Sequence, residues 1–155
     1  MSDGDLRDRV RRYLSEHHVA TLATQGPQGP WAAAVFYAGD EAGLYFLSSP
    51  RSRHAVNLIQ FPRVAVAVQD NCTEWAQIQG VQLEGLCAEL DGADRERAQR
   101  LYAQKFPLIA RPARAPLAIA EALARVRWYR LVPDRLYLID NSRGFGHREE
   151  LIPLG

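Results

Sequence analysis

Polar and basic side chains crowd together in Leu47-Ser48-Ser49-Pro50-Arg51-Ser52-Arg53-His54, directly after the β-prone run Leu44-Tyr45-Phe46. Ser52 stands where an N-cap would open a helix over Ser52 to Gln60, with Ala55, Leu58 and Ile59 on one face and Phe61-Pro62 as the stop. The segment therefore reads as a strand running into a helix N-terminus, a place that favours anions. Uncapped backbone N–H groups, the partial positive helix end and the guanidinium forks of Arg51 and Arg53 suit a phosphate, each charge-assisted hydrogen bond contributing roughly 1.5–3 kcal/mol. A capped helix with solvated arginines fits the same residues, so both readings stand on this segment alone.

Two other stretches bear on the choice. Trp31-Ala32-Ala33-Ala34-Val35 is an unusual strand, because alanine is a poor β-former. Consecutive small side chains leave room for a flat ring against the sheet, or equally for a tightly packed helix. Gly80 and Gln82 share the strand face opposite Val81, Leu83 and Cys87, which puts an amide where it could meet a heteroaromatic edge or simply water.

Other catalytic signatures are missing. Gly144-Phe145-Gly146 lacks the third glycine of a dinucleotide fingerprint and follows a late strand instead of opening a strand-turn-helix unit. There is no phosphate-binding lysine loop, zinc-type cysteine pair or Gly-x-Ser-x-Gly elbow. His17, His18, His54 and His147 have no metal-ligand spacing; the first two end a helix, where capping is the expected role. Cys72 and Cys87 read as reduced and structural, and Trp75 and Trp128 as packing residues.

The elements that would position these residues follow from periodicity. Leu6, Val10, Tyr13 and Leu14 mark an amphipathic helix ending near Glu16. His18 to Thr24 and Trp31 to Tyr37 flank a Gly/Pro-rich turn and form a hairpin, and a turn at Asp40 to Gly43 leads into Leu44 to Ser49. Val64, Val66 and Val68 alternate with Ala65 and Ala67, and a longer strand covers about Gln77 to Leu90. Helices over Asp94 to Phe106 and Pro116 to Ala124 precede two closing strands, Val126 to Val132 and Leu136 to Asp140. The expected fold is mainly β with helices: an antiparallel, six-stranded split β-barrel with flanking helices.

At 155 residues the chain suits one domain, 1–155, with 47% hydrophobic and 24% charged residues. Net charge is +1, which argues against general nucleic-acid binding. No apolar run approaches the roughly 20 residues of a membrane span, and Met1-Ser2-Asp3-Gly4-Asp5 lacks a signal-peptide core, so the expected location is cytoplasmic.

The order of these pieces resembles the FMN-binding split barrel of the pyridoxamine 5'-phosphate oxidase-like proteins. The likeness is carried by the N-terminal helix before a hairpin, Ser52-Arg53-His54-Ala55 followed by Phe61-Pro62-Arg63-Val64, Val81-Gln82-Leu83-Glu84-Gly85, and Trp128 through Pro133 into Asn141-Ser142-Arg143-Gly144-Phe145-Gly146-His147. It covers most of the chain and is closest to a small bacterial branch of the family. The resemblance implies a homodimer with an FMN at each end of its interface. Ser52 and Arg53 would hold the phosphate with Arg51 as helper, Leu47 and Ser48 would line the flavin, and Gln82, or else Gln79, would meet the ring. Asn141, Arg143, Phe145 and His147 would approach from the partner protomer. His54 stands where the oxidases carry a lysine, and the basic residues of the second strand are replaced within Ala32 to Phe36. The C-terminal substrate pattern of the oxidase survives only loosely, as Gly146-His147-Arg148.

What the resemblance implies is a flavin-dependent oxidoreductase of open substrate. Two other classes fit the same barrel: a non-catalytic flavin or haem binding or sensing protein, with His54 and His147 as the haem contacts to consider, and a deazaflavin-dependent reductase.

Overall fold

Alternation decides where this chain extends: in Arg63–Gln69, Val64, Val66 and Val68 are buried while Ala65 is exposed and Ala67 half-buried between them. The computed structural model describes residues 2–111 and 114–153. Its helices are α1 (Asp3–Glu16), α2 (Arg53–Gln60), α3 (Gly92–Lys105), α4 (Pro107–Ala110) and α5 (Leu117–Arg125). The strands are β1 (Val19–Gly26), β2 (Gly29–Phe36), β3 (Ala38–Asp40), β4 (Gly43–Ser48), β5 (Arg63–Gln69), β6 (Gln79–Glu89), β7 (Arg127–Asp140) and β8 (Arg148–Leu151). Two 3-10 turns, Trp75–Gln77 and Asn141–Arg143, flank the β6 start and the β7 end.

All eight strands form one antiparallel sheet in the order β2-β1-β5-β6-β7-β4-β3, with β8 paired to the second half of β7. The sheet curls into a half-barrel, and β2 approaches β4 without a ladder between them, so the barrel is split there. The class is the one expected, but with eight strands in place of six. β3 and β8 are short and are created by pairing with β4 and β7, a tertiary effect that leaves little mark on three- and four-residue segments. The two expected closing strands are one, β7, because a bulge absorbs Pro133 and Asp134 opposite Gly85. Arg63 fixes that bulge with a two-pronged bond to Asp134, at 2.8 and 2.9 Å.

Two cores result. Inside the curl, Leu22, Phe46, Val64, Val66, Val81, Leu83, Tyr129 and Leu131 pack together, with α1 closing one end through Leu6, Val10 and Tyr13. On the outside of β4, α3 covers Tyr45 and Trp128 with Ala98 and Tyr102, the Tyr102 and Trp128 rings meeting edge-on at 5.2 Å. Trp128 is therefore a packing residue. The only lysine, Lys105, donates to the carbonyls of Leu14 and His17 and so caps the end of α1 from α3. His17 has the expected capping role, with Nδ1 2.7 Å from the Tyr13 carbonyl and Nε2 2.8 Å from Asp70.

Candidate functional site

The β4-to-α2 junction is a tight turn. Pro50 sets its second position, the Ser52 N–H donates to the Ser49 carbonyl at 3.0 Å, and the Ser52 hydroxyl then caps α2 by accepting from the Ala55 N–H at 3.3 Å. The N–H groups of Arg53 and His54 head the helix with no preceding turn to accept them, and no acidic residue lies in that first turn. Arg51 is exposed, and the Arg53 guanidinium lies 4.3 Å over the Trp31 ring with one nitrogen 3.5 Å from the Gln28 carbonyl. The Arg53 guanidinium and two helix-end N–H groups thus open on one mouth, with the exposed Arg51 in the turn beside it, a donor set that fits a phosphate.

His54 turns away from that mouth. Its Nε2 is 2.6 Å from the Ser48 hydroxyl and 3.3 Å from that of Ser52, and burial holds the imidazole below its usual range, so it is neutral at pH 7. His54 thus adds no charge to the mouth. Ser48 is buried and faces α2, whereas Leu47 points to the opposite side of β4 and packs on the Trp128 core.

Gln82 stands elsewhere. It is exposed on the outer face of β6, in a row with Ala34, Thr21, Ala67 and Tyr137 across five strands. The next row is Ala32, Ala23, Ala65, Glu84 and Arg135. The small residues of β2 therefore join those of β1 and β5 in one outer face, flanked by the exposed Val19 and Phe36. The alternation in Val64 to Val68 and the alanines of β2 each hinted at this face, but only the long-range register joins them.

The Asn141-to-His147 segment lies at the far end of β7. Asp140, only 6% exposed, anchors it: its carboxylate accepts from the Ser142 hydroxyl at 2.6 Å, the Ser142 N–H at 3.0 Å and Gln79 at 3.3 Å. Arg9 from α1 pairs with Asp140 at 3.4 Å and Glu149 at 3.1 Å. Burial pushes both carboxyls up, but the bonds from Ser142 and Gln79 at Asp140, and from Arg9 at Glu149, pull both below their usual range. Arg143 pairs with Asp140 at 3.6 Å, and His147 Nε2 is buried 3.4 Å from Glu149. Phe145 is exposed and touches Trp75. Nothing in the local sequence marks Trp75 as a companion of this segment; the ladder that sets Gln79 opposite Asp140 makes it one.

The structure thus gathers Ser48, Arg51, Ser52, Arg53 and His54 at one place, and Asn141, Arg143, Phe145 and His147 at another. Ser48 pairs with Arg127 at the start of β7, Gln82 with Tyr137 and Gln79 with Asp140 near its end. Along that strand the two groups are separated by roughly 40 Å at about 3.3 Å per residue. A roomier cleft of about 990 Å³ opens between α1, α3 and β3, lined by none of the candidate residues. Its arginines are already engaged, Arg11 with Glu41 at 2.8 Å and Arg97 with Asp40 at 2.6 Å. No group of three or more metal-ligating side chains occurs among the described residues, and no helix there is long and apolar enough to cross a membrane.

Comparison with known proteins bears on the family and the fold. The chain is 31% identical over 143 residues to the UPF0306 protein YhbP of Escherichia coli O157:H7, covering 90% of this chain and 88% of that one. A UPF0306 protein of Enterobacter sp. (strain 638) is 30% identical over 141 residues, covering 90% and 91%. Among solved structures, HutZ from Vibrio cholerae, described as a haem storage protein, superposes with a TM-score of 0.70 at 18% identity, covering 86% of this chain and 94% of HutZ. An FAD-binding protein of Mesorhizobium loti gives 0.62 at 22% identity, covering 83% and 89%. At such identities these two speak for the fold alone. The family model described as pyridoxamine 5'-phosphate oxidase matches residues 6–140, from α1 through the α2 junction to the last residue of β7. The chain belongs to the pyridoxamine 5'-phosphate oxidase family.

Proposed function

We propose that residues 1–155 form one FMN-binding domain that works as a cytoplasmic homodimer and serves as a flavin-dependent oxidoreductase. The observation that carries this reading is the mouth of α2, where Ser52, Arg53 and Arg51 present hydroxyl, N–H and guanidinium groups with no acid among them. They would hold the phosphate, with the end of β4 beneath the ring, Ser48 on the α2 side and Leu47 through its backbone, since its side chain packs in the Trp128 core. Bound FMN would supply electron or hydride exchange, while the chain supplies position and electrostatics. Gln82 and the Asn141-to-His147 segment, with Arg143, Phe145 and His147, would reach the ring from the partner protomer. The alanine face of β2, β1 and β5 supports pairing of two copies, since it offers broad contact with few charges.

A haem-binding reading draws on the haem storage description of HutZ. Of the two histidines that would serve it, His54 is held by Ser48, whereas the buried His147 Nε2 lies 3.4 Å from Glu149 without a hydrogen bond among the described residues; what favours flavin is the donor set at the mouth of α2. The test is a visible absorption spectrum of the purified protein with FMN added, alongside its native mass. Bands near 370 and 450 nm, roughly those of flavin, with the mass of a dimer are expected. A Soret band with haem and no FMN uptake, or preference for a deazaflavin, would overturn the cofactor assignment. Stopped-flow mixing with NADH or NADPH then separates a reductase, whose flavin bleaches, from a binder.

A further inference from the structure

We infer that Trp75 and Phe145 together form an aromatic clamp that closes on the flavin held by the other protomer, so that Trp75 is a cofactor-contacting residue supplied in trans. The inference rests on the FMN reading above and adds a residue to it.

Trp75 is 70% exposed and Phe145 82% exposed, and their ring centroids lie 5.6 Å apart with the planes tilted by 54°. Two large rings held against each other in water forgo burial of roughly 150–250 Å² each, which a fold seldom arranges unless something covers them. The mount beneath them is rigid. Asn141 donates from Nδ2 to the Trp75 carbonyl at 3.0 Å, donates from its N–H to the Ile78 carbonyl at 2.9 Å, and accepts from the Gly146 N–H at 3.1 Å. Gly146 has φ +71°, a left-handed conformation that suits glycine and lets the segment fold back under Phe145. Below Asn141, the Asp140 carboxylate ties the segment to Gln79 and to Arg9 of α1. Asn141 thus acts as a staple that fixes the Trp75 turn to the Phe145 turn.

The phosphate mouth of the same chain lies beside the start of β7 and the clamp beside its end, with the bulge at Pro133 between them, so the two stand at opposite ends of the strand. In a two-fold dimer every contact is made twice, so a clamp at one end of each protomer and a phosphate mouth at the other give two composite sites. A flat heteroaromatic ring is the ligand chemistry two rigid aromatic side chains match, by stacking and edge contact.

The experiment is complementation between protomers. Trp75→Ala and Arg53→Ala homodimers are each expected to bind FMN at least roughly tenfold more weakly than wild type, with the native mass of a dimer. Co-expression with two tags then isolates the mixed dimer. If Trp75 acts in trans, one of its sites carries both defects and the other none, so about one wild-type-affinity FMN binds per mixed dimer. Trp75→Phe is expected to keep most of the affinity, and loss of flavin fluorescence quenching in Trp75→Ala reports the lost stacking directly. Weak binding at both sites of the mixed dimer would place Trp75 in its own protomer's site and overturn the inference. Unchanged FMN affinity in Trp75→Ala, or a Trp75→Ala monomer, would overturn it too and leave the FMN reading standing. A wild-type protein that ignores FMN removes that reading itself, before any variant is made.

Discussion

Arg53 has its charge held in place on two sides, over the Trp31 ring and against the Gln28 carbonyl, at the opening of α2. If it grips the phosphate, Arg53→Ala removes one charge-assisted contact and weakens FMN binding roughly 10- to 100-fold, while thermal stability changes little. A flavin fluorescence titration measures this, and unchanged affinity removes Arg53 from the site. His54, one residue on, makes a prediction about pH. Unfolded, its imidazole takes a proton near pH 6.5, whereas the buried ring resists until a lower pH. Between those values the unfolded chain binds more protons, so the contribution of His54 to stability is complete above 6.5 and is lost as pH falls through the folded value. Urea midpoints at pH 7.5 and 5.5 should drop further in wild type than in His54→Gln; equal drops would mean that the ring is not held neutral.

The elements place those residues, and α2 is seated by one close contact. Asn57 is buried on α2 and donates to the Thr24 hydroxyl at 3.1 Å, while a Cβ added to Gly26 would lie 2.0 Å from the Asn57 side-chain oxygen. Gly26→Ala must therefore displace the buried Asn57 side chain from its bond to Thr24, or α2 with it, and is expected to destabilise the protein by about 1–3 kcal/mol. A thermal melt tests it; a wild-type melting temperature would show that α2 yields freely. Much at this scale is legible in the sequence. The Ser52 cap, the turn before β2, the alternation in β5 and the inward face of β6 are local patterns, and local physics settles them. β3, β8 and the continuity of β7 through Pro133 are not legible, because pairing partners far along the chain create them. The candidate site divides the same way. The proposed phosphate mouth lies within a run of eight consecutive residues, so its donors are legible in the sequence, although the same run also reads as a capped helix with solvated arginines. The alanine face and the Trp75–Phe145 contact exist only once the register of the sheet is known.

At the scale of the molecule, the outer face of β2, β1 and β5 argues for a second copy. β2 ends the sheet, runs for eight residues and carries no charged side chain, although exposed edge strands are usually blunted by charge or proline, and here only Pro30 serves. Its own Phe36 is exposed and Ala23 and Ala65 lie beside it, while the charges of this face, Arg63 at the start of β5 with Glu84 and Arg135, gather at one margin and Arg63 is paired with Glu84 and Asp134. A face with these properties is suited to burial in an isologous contact, where each residue meets its counterpart's surroundings across the axis. Ala34 sits within it, opposite Thr21. Ala34→Arg would bury an unpaired guanidinium in that contact at a cost of about 3–5 kcal/mol, weakening the dimer by about two to four powers of ten. Native mass is then expected to fall to that of a monomer at micromolar concentration, with the β-sheet circular dichroism unchanged. FMN affinity should fall with it, because Gln82, Phe145 and Trp75 would no longer face the phosphate mouth of another chain. A monomer that still binds FMN tightly would mean that one protomer holds the whole site, and a persistent dimer would move the interface to another face.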